Sequence, residues 1–128
     1  MAKILIIEDN PANMKLAEFL LRKAGHEVLQ AEDAPAGIAL AREHLPDLVL
    51  MDVQLPGMDG LTATKALKAD PATRAIKVIV LTAFAMKGDE EKMLAAGCDG
   101  YIAKPFQYRE FLAEVERQLG AVQQGPVR

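Results

Sequence analysis

Short apolar runs recur along the chain at residues 4–7, 28–31, 48–51, 78–81 and 101–103. The first, third and fourth are almost pure Ile, Leu, Val and Met. Such unbroken runs fit strands covered on both faces, as in a parallel sheet. The second and fifth are more mixed and suit positions nearer the sheet edges. Helical spacing fills the intervals. Asn10-Pro11 is a start signal, with Asn as cap and Pro in the first turn. Met14, Leu16, Ala17, Leu20 and Leu21 follow at helical spacing, and Gly25 closes the helix. Asp33 caps a second helix carrying Ile38, Leu40, Ala41 and Leu45, which Pro46 stops. Residues 61–69 form a third, ended by Asp70-Pro71, and residues 89–96 a fourth, closed by Gly97. Phe111, Leu112, Val115 and Leu119 mark a fifth, expected to end at Gly120.

The order is strand then helix, five times over. That alternation implies parallel strands joined by right-handed helical crossovers. Closure into an eight-unit barrel needs about 250 residues, and the chain has 128. The expected fold is therefore an open α/β sheet, doubly wound and flavodoxin-like, with five parallel strands in the order 2-1-3-4-5. One domain is expected over residues 1–120, with residues 121–128 a flexible C-terminal tail.

Composition narrows the function. Fifteen Lys and Arg face eighteen Asp and Glu, a formal charge of −3, so no overall positive field favours nucleic acid. A single cysteine, Cys98, forbids an internal disulfide, and a reducing compartment is its simplest home. Serine is absent, which removes every Ser-nucleophile mechanism. No segment approaches the roughly 20 apolar residues of a membrane span, and the start lacks the apolar stretch of a signal peptide. A cytoplasmic protein without a membrane or nucleic-acid partner is expected. Met1 and the short tail point to a free-standing chain.

Open parallel sheets bind ligands beyond the carboxyl ends of their strands. The residues expected there are Glu8 and Asp9 after the first strand, Asp52 after the third, Thr82 ending the fourth, and Lys104-Pro105 after the fifth. Two carboxylates about 5 Å apart repel by about 3 kcal/mol at an effective dielectric near 20. Such a site holds a proton or binds a cation. Oxygen ligands suit Mg²⁺, with Mn²⁺ as a substitute. Lys104 adds positive charge and Thr82 a hydroxyl donor. Together they describe a pocket for a phosphoryl group carried on a carboxylate, since Asp is a competent nucleophile in phosphoryl transfer.

These residues, in order, resemble a response-regulator receiver domain of two-component signalling. The resemblance rests on Glu8-Asp9, on Asp52 within residues 50–60, on Thr82-Ala83 and on Lys104-Pro105-Phe106, and runs from about Lys3 to Leu119. Residues 82–90 are similar to DivK-type single-domain regulators and to the receivers of hybrid histidine kinases. The resemblance implies that Asp52 accepts a phosphoryl group from a kinase phosphohistidine. It implies that Asp9 and Asp52 ligate Mg²⁺ directly, Glu8 through water, and Gln54 through its backbone carbonyl. Thr82 and Lys104 would bind the phosphoryl oxygens, and Lys104–Pro105 would be cis. Tyr101 would turn inward as Thr82 moves. Gln54 and Phe84 would influence the lifetime of the phosphate. Output would be contact with a downstream protein through the face of the fourth helix, fifth strand and fifth helix. A relay intermediate, passing phosphate on to a histidine phosphotransfer protein, is the alternative.

Other readings of the same residues are weaker. An Asp-nucleophile phosphatase typically carries Asp-x-Asp after its first strand, whereas Asp52-Val53-Gln54 follows the third and Gln supplies no proton. A flavin carrier needs a neutral phosphate loop where this chain has Glu8-Asp9-Asn10. His26 and His44 read as surface residues, Cys98 as packing, Asp47 and Asp59 as pre-strand and turn residues, and Gly57, Gly60 and Gly88 as boundary glycines.

Overall fold

A computed structural model describes residues 2–83 and 87–124, with side chains at 87, 88 and 121–124 outside the description. The strands are β1 (Lys3–Ile7), β2 (Glu27–Ala31), β3 (Leu48–Asp52), β4 (Lys77–Thr82) and β5 (Gly100–Ala103). The helices are α1 (Pro11–Lys23), α2 (Ala34–His44), α3 (Gly60–Ala69), α4 (Lys87–Ala96) and α5 (Tyr108–Gln124). The five strands form one parallel sheet ordered β2-β1-β3-β4-β5. This is the flavodoxin-like order. β3 is buried at every position, while the edge strands β2 and β5 are only partly buried.

Alternate strand residues feed two cores, one on each face. Ile4, Ile6, Leu48, Leu50, Ile79 and Leu81 pack with Leu21 of α1 and with Phe111 and Val115 of α5. Leu5, Ile7, Val49, Met51, Val78 and Val80 pack with residues of α2, α3 and α4. The period-two alternation of a strand therefore serves both layers with apolar side chains. That is why the central runs contain no polar alternation.

Caps fix the helix starts. Asn10 Oδ1 accepts the Ala12 and Asn13 N–H groups at 2.9 and 3.1 Å. Asp33 accepts from Ala36 and Asp59 from Thr62, each at 2.8 Å. Asp59 is thus the cap of α3, which begins at Gly60. At the other end of α1, Gly25 adopts φ +94°, and the Gly25 and His26 N–H groups return to Arg22 O and Leu21 O.

Two expectations need correction. α5 continues through Gly120 to Gln124, so four residues expected in the tail are helical. One Gly costs a helix only about 1 kcal/mol relative to Ala, and the Ala-Val-Gln-Gln that follows sustains the helical run. His26 is not a surface residue: its side chain is 7% exposed. Its Nδ1 accepts the Ala2 N–H at 3.2 Å, and its Nε2 lies 2.7 Å from Glu116 of α5.

Candidate functional site

Strand order brings the predicted residues to one edge of the sheet. Glu8 follows β1, Asp52 ends β3, Thr82 ends β4, and Lys104 follows β5. Glu8, Asp52 and Thr82 are buried, while Asp9 is exposed. The loops are held by the sheet itself. Glu8 N–H donates to Ala31 O at 3.0 Å, Val53 N–H to Leu81 O at 3.0 Å, and Lys104 N–H to Thr82 O at 2.8 Å. The Lys104–Pro105 peptide is cis.

Carboxylate oxygens of Glu8, Asp9 and Asp52 lie within 4.8 Å of one another. The Lys104 ammonium stands between two of them, 3.0 Å from Glu8 Oε1 and 3.1 Å from Asp52 Oδ1. Glu8 Oε2 accepts the Asn10 N–H at 3.1 Å, and Asp52 Oδ1 accepts the Gln54 N–H at 3.2 Å. Glu8 Oε1 is buried and, among the described residues, has no aligned hydrogen-bond donor, its approach to Lys104 being an ion pair by distance alone. Burial, followed by the Asp52 carboxyl beside it, pushes the Glu8 carboxyl up to about 7, against the lowering pull of Asn10 N–H and Lys104. Burial alone would lower Lys104. The Glu8 and Asp52 carboxylates outweigh it and hold the ammonium above its ordinary pKa.

This donor set fits a hard divalent cation. With all three carboxylates ionised, the single ammonium would leave two excess negative charges for a cation to offset. Glu8 Oε1 is buried in the cluster with an ion pair to Lys104 but no aligned hydrogen bond, and Asp9 keeps the cluster open to solvent. Oxygen ligands with room for water are what Mg²⁺ takes.

Tyr101 stands apart from this cluster. It lies on β5, is 40% exposed, and donates its hydroxyl to Glu90 Oε2 of α4 at 3.2 Å. Phe84 lies outside the described residues. Gly60, read from sequence only as a boundary glycine, has a closer role. A Cβ there would run into the Asp52 backbone carbonyl, so α3 starts directly against the acidic residue. Nothing in the local sequence distinguishes that glycine from Gly57. Asn10 was legible as a helix cap, but its N–H bond to Glu8 was not.

Residues 4–116 match the response regulator receiver domain family, and the chain belongs to that family. It is 47% identical over 117 residues to the polar-differentiation response regulator DivK of Brucella anthropi, covering 91% of this chain and 95% of that protein. The DivK of Brucella ovis matches to the same extent. Among solved structures, the receiver domain of the sensor histidine kinase PA1611 of Pseudomonas aeruginosa is 38% identical with a TM-score of 0.86, covering 93% of this chain and 98% of that one. That structure is described as having a magnesium ion coordinated in its active site cleft. The chemotaxis protein CheY4 of Vibrio cholerae is 27% identical with a TM-score of 0.87, covering 91% of this chain and 98% of that one. Among the described residues no helix is long and apolar enough to cross a membrane.

Proposed function

We propose that the chain is a cytoplasmic response regulator that accepts a phosphoryl group on Asp52 and, in that state, changes its contacts with a protein partner. One observation carries this reading: a buried aspartate, ion-paired to Lys104, lies within carboxylate-to-carboxylate reach of Glu8 and Asp9. The phosphoryl donor is a phosphohistidine on a sensor histidine kinase or a phosphotransfer protein. An Asp52 carboxylate oxygen attacks phosphorus, the new P–O bond forms as the P–N bond breaks, and the electron pair stays on the imidazole nitrogen. A proton already on the other ring nitrogen lets the imidazole leave neutral.

Asp9 and Asp52 would hold Mg²⁺ (or Mn²⁺) directly, with Glu8 through water and Gln54 through its backbone carbonyl. When bound, the ion neutralises phosphoryl oxygens that would otherwise meet a cluster of acids. Lys104 supplies a cation beside the same oxygens, and Thr82 a hydroxyl donor. Thr82 moving toward the phosphoryl group draws Tyr101 inward, which alters the face made by α4, β5 and α5. The chain catalyses only its own phosphorylation and dephosphorylation. A relay role, with phosphate passing on to a histidine phosphotransfer protein, uses the same Asp52 chemistry.

The test is transfer from a protein donor. A histidine phosphotransfer domain labelled on its histidine should lose label to the parent chain in Mg²⁺ and to neither the Asp52→Asn variant nor the parent in chelator. Equal transfer to Asp52→Asn would overturn the assignment.

A further inference from the structure

Tyr101 and Thr82 share one face of the sheet. Val80 of β4 packs into the core on the α2, α3 and α4 side and pairs in register with Tyr101, while Thr82 pairs with Ala103. Ile102, between them, faces the opposite core. By strand alternation Val80, Thr82, Tyr101 and Ala103 all project toward the layer that contains α4. Tyr101 is nonetheless 40% exposed, and its hydroxyl reaches Glu90 in the first turn of α4.

We propose that Glu90 is a latch that holds Tyr101 in its outward position and so sets how much of the unmodified protein is in the responsive conformation. The proposal deepens the receiver reading and rests on it. The contact closes between two elements, β5 and α4, that belong to the face expected to change on phosphorylation. An inward turn of the ring removes its hydroxyl from Glu90, so the bond stabilises one of the two positions only. A contact made in one state and absent from the other shifts the equilibrium by its own net free energy. The neighbouring charges agree with the geometry. The hydrogen bond to Glu90 and the Glu90 charge, with a further contribution from Glu114 of α5, hold the Tyr101 phenol above its ordinary pKa. Glu90 is exposed, and its hydrogen bond among the described residues is to Tyr101 rather than to a phosphoryl-site residue, which makes it a positioning residue.

The experiment compares the parent with Glu90→Ala, Tyr101→Phe and the double variant. The readout is the initial rate of Asp52 labelling by phosphoramidate in Mg²⁺, followed by intact mass. A net hydrogen bond of ordinary strength corresponds to about a two- to tenfold rise in rate for each single variant. The double variant should rise no further than either single one, because both remove the same bond. Separately, in a Tyr108→Phe background, Glu90→Ala should let the Tyr101 phenol ionise at lower pH. Labelling rates unchanged in Glu90→Ala, with the parent labelled normally, would overturn the latch alone. So would a phenol titration indifferent to Glu90. A parent that takes no label would bring down the receiver reading and the latch with it.

Discussion

Glu8 is the residue at which folding and function pull in opposite directions. Its carboxyl ionises near pH 4.5 when free and at about 7 in the folded, metal-free protein. Because the folded value is the higher, the folded state binds the proton more tightly. Glu8 therefore contributes stability that is fully present below about 4.5 and is lost as pH rises through about 7. In the metal-free protein the thermal midpoint, measured relative to a Glu8→Gln variant, should fall as pH rises across that window. Adding Mg²⁺ should flatten the difference, since a bound cation favours the ionised form. Gly60 makes a second residue-scale case. An Ala there meets the Asp52 carbonyl, so Gly60→Ala should cost about 1–3 kcal/mol by overpacking. It should also slow Asp52 labelling, which urea unfolding and intact mass would measure together. The acids and Lys104 were legible in the sequence because each follows an apolar run. Gly60 was not, because its reason is a close approach across the β3–α3 turn.

At the scale of elements, the turn between α4 and β5 is clamped from both sides. Lys68 of α3 donates to Ile76 O at 2.8 Å, Asp99 Oδ2 at 2.9 Å and Arg74 O at 3.3 Å. These contacts use all three ammonium protons. Asp99 Oδ2 also accepts the Val78 N–H at 2.8 Å, and its backbone carbonyl accepts from the buried Gln118 of α5 at 3.0 Å. Lys68→Met should lower stability by about 1–3 kcal/mol, since it removes charge-assisted bonds from partly buried acceptors. The urea midpoint would report it. The helix cores were legible from their spacing and their starts from Asn10 and Asp33. Helix ends were less so: α4 begins two residues before Asp89 and α5 runs past Gly120. Ends depend on what covers the terminal turns, which periodicity does not encode. The partnership of Lys68 with Asp99 spans 31 residues and leaves no local trace.

For the whole molecule, the buried centre of the sheet does the organising. β1, β3 and β4 are apolar on both faces, so they must lie in the middle, and the more polar β2 and β5 take the edges. That placement alone carries Glu8, Asp52, Thr82 and Lys104 to one edge from positions up to 96 residues apart. The fold was legible because burial on both sides shows as an unbroken run, and the cluster because the fold dictates where strands end. The ion pairs within the cluster, and the burial of His26 beneath α5, required the three-dimensional packing. The central claim is that this edge makes Asp52 a phosphoryl acceptor. Its most direct test is intact mass after incubation with phosphoramidate, with and without Mg²⁺, beside Asp52→Asn. A single phosphoryl adduct that requires both Mg²⁺ and Asp52 is the predicted result. No adduct on the parent, or equal labelling of Asp52→Asn, would contradict the account.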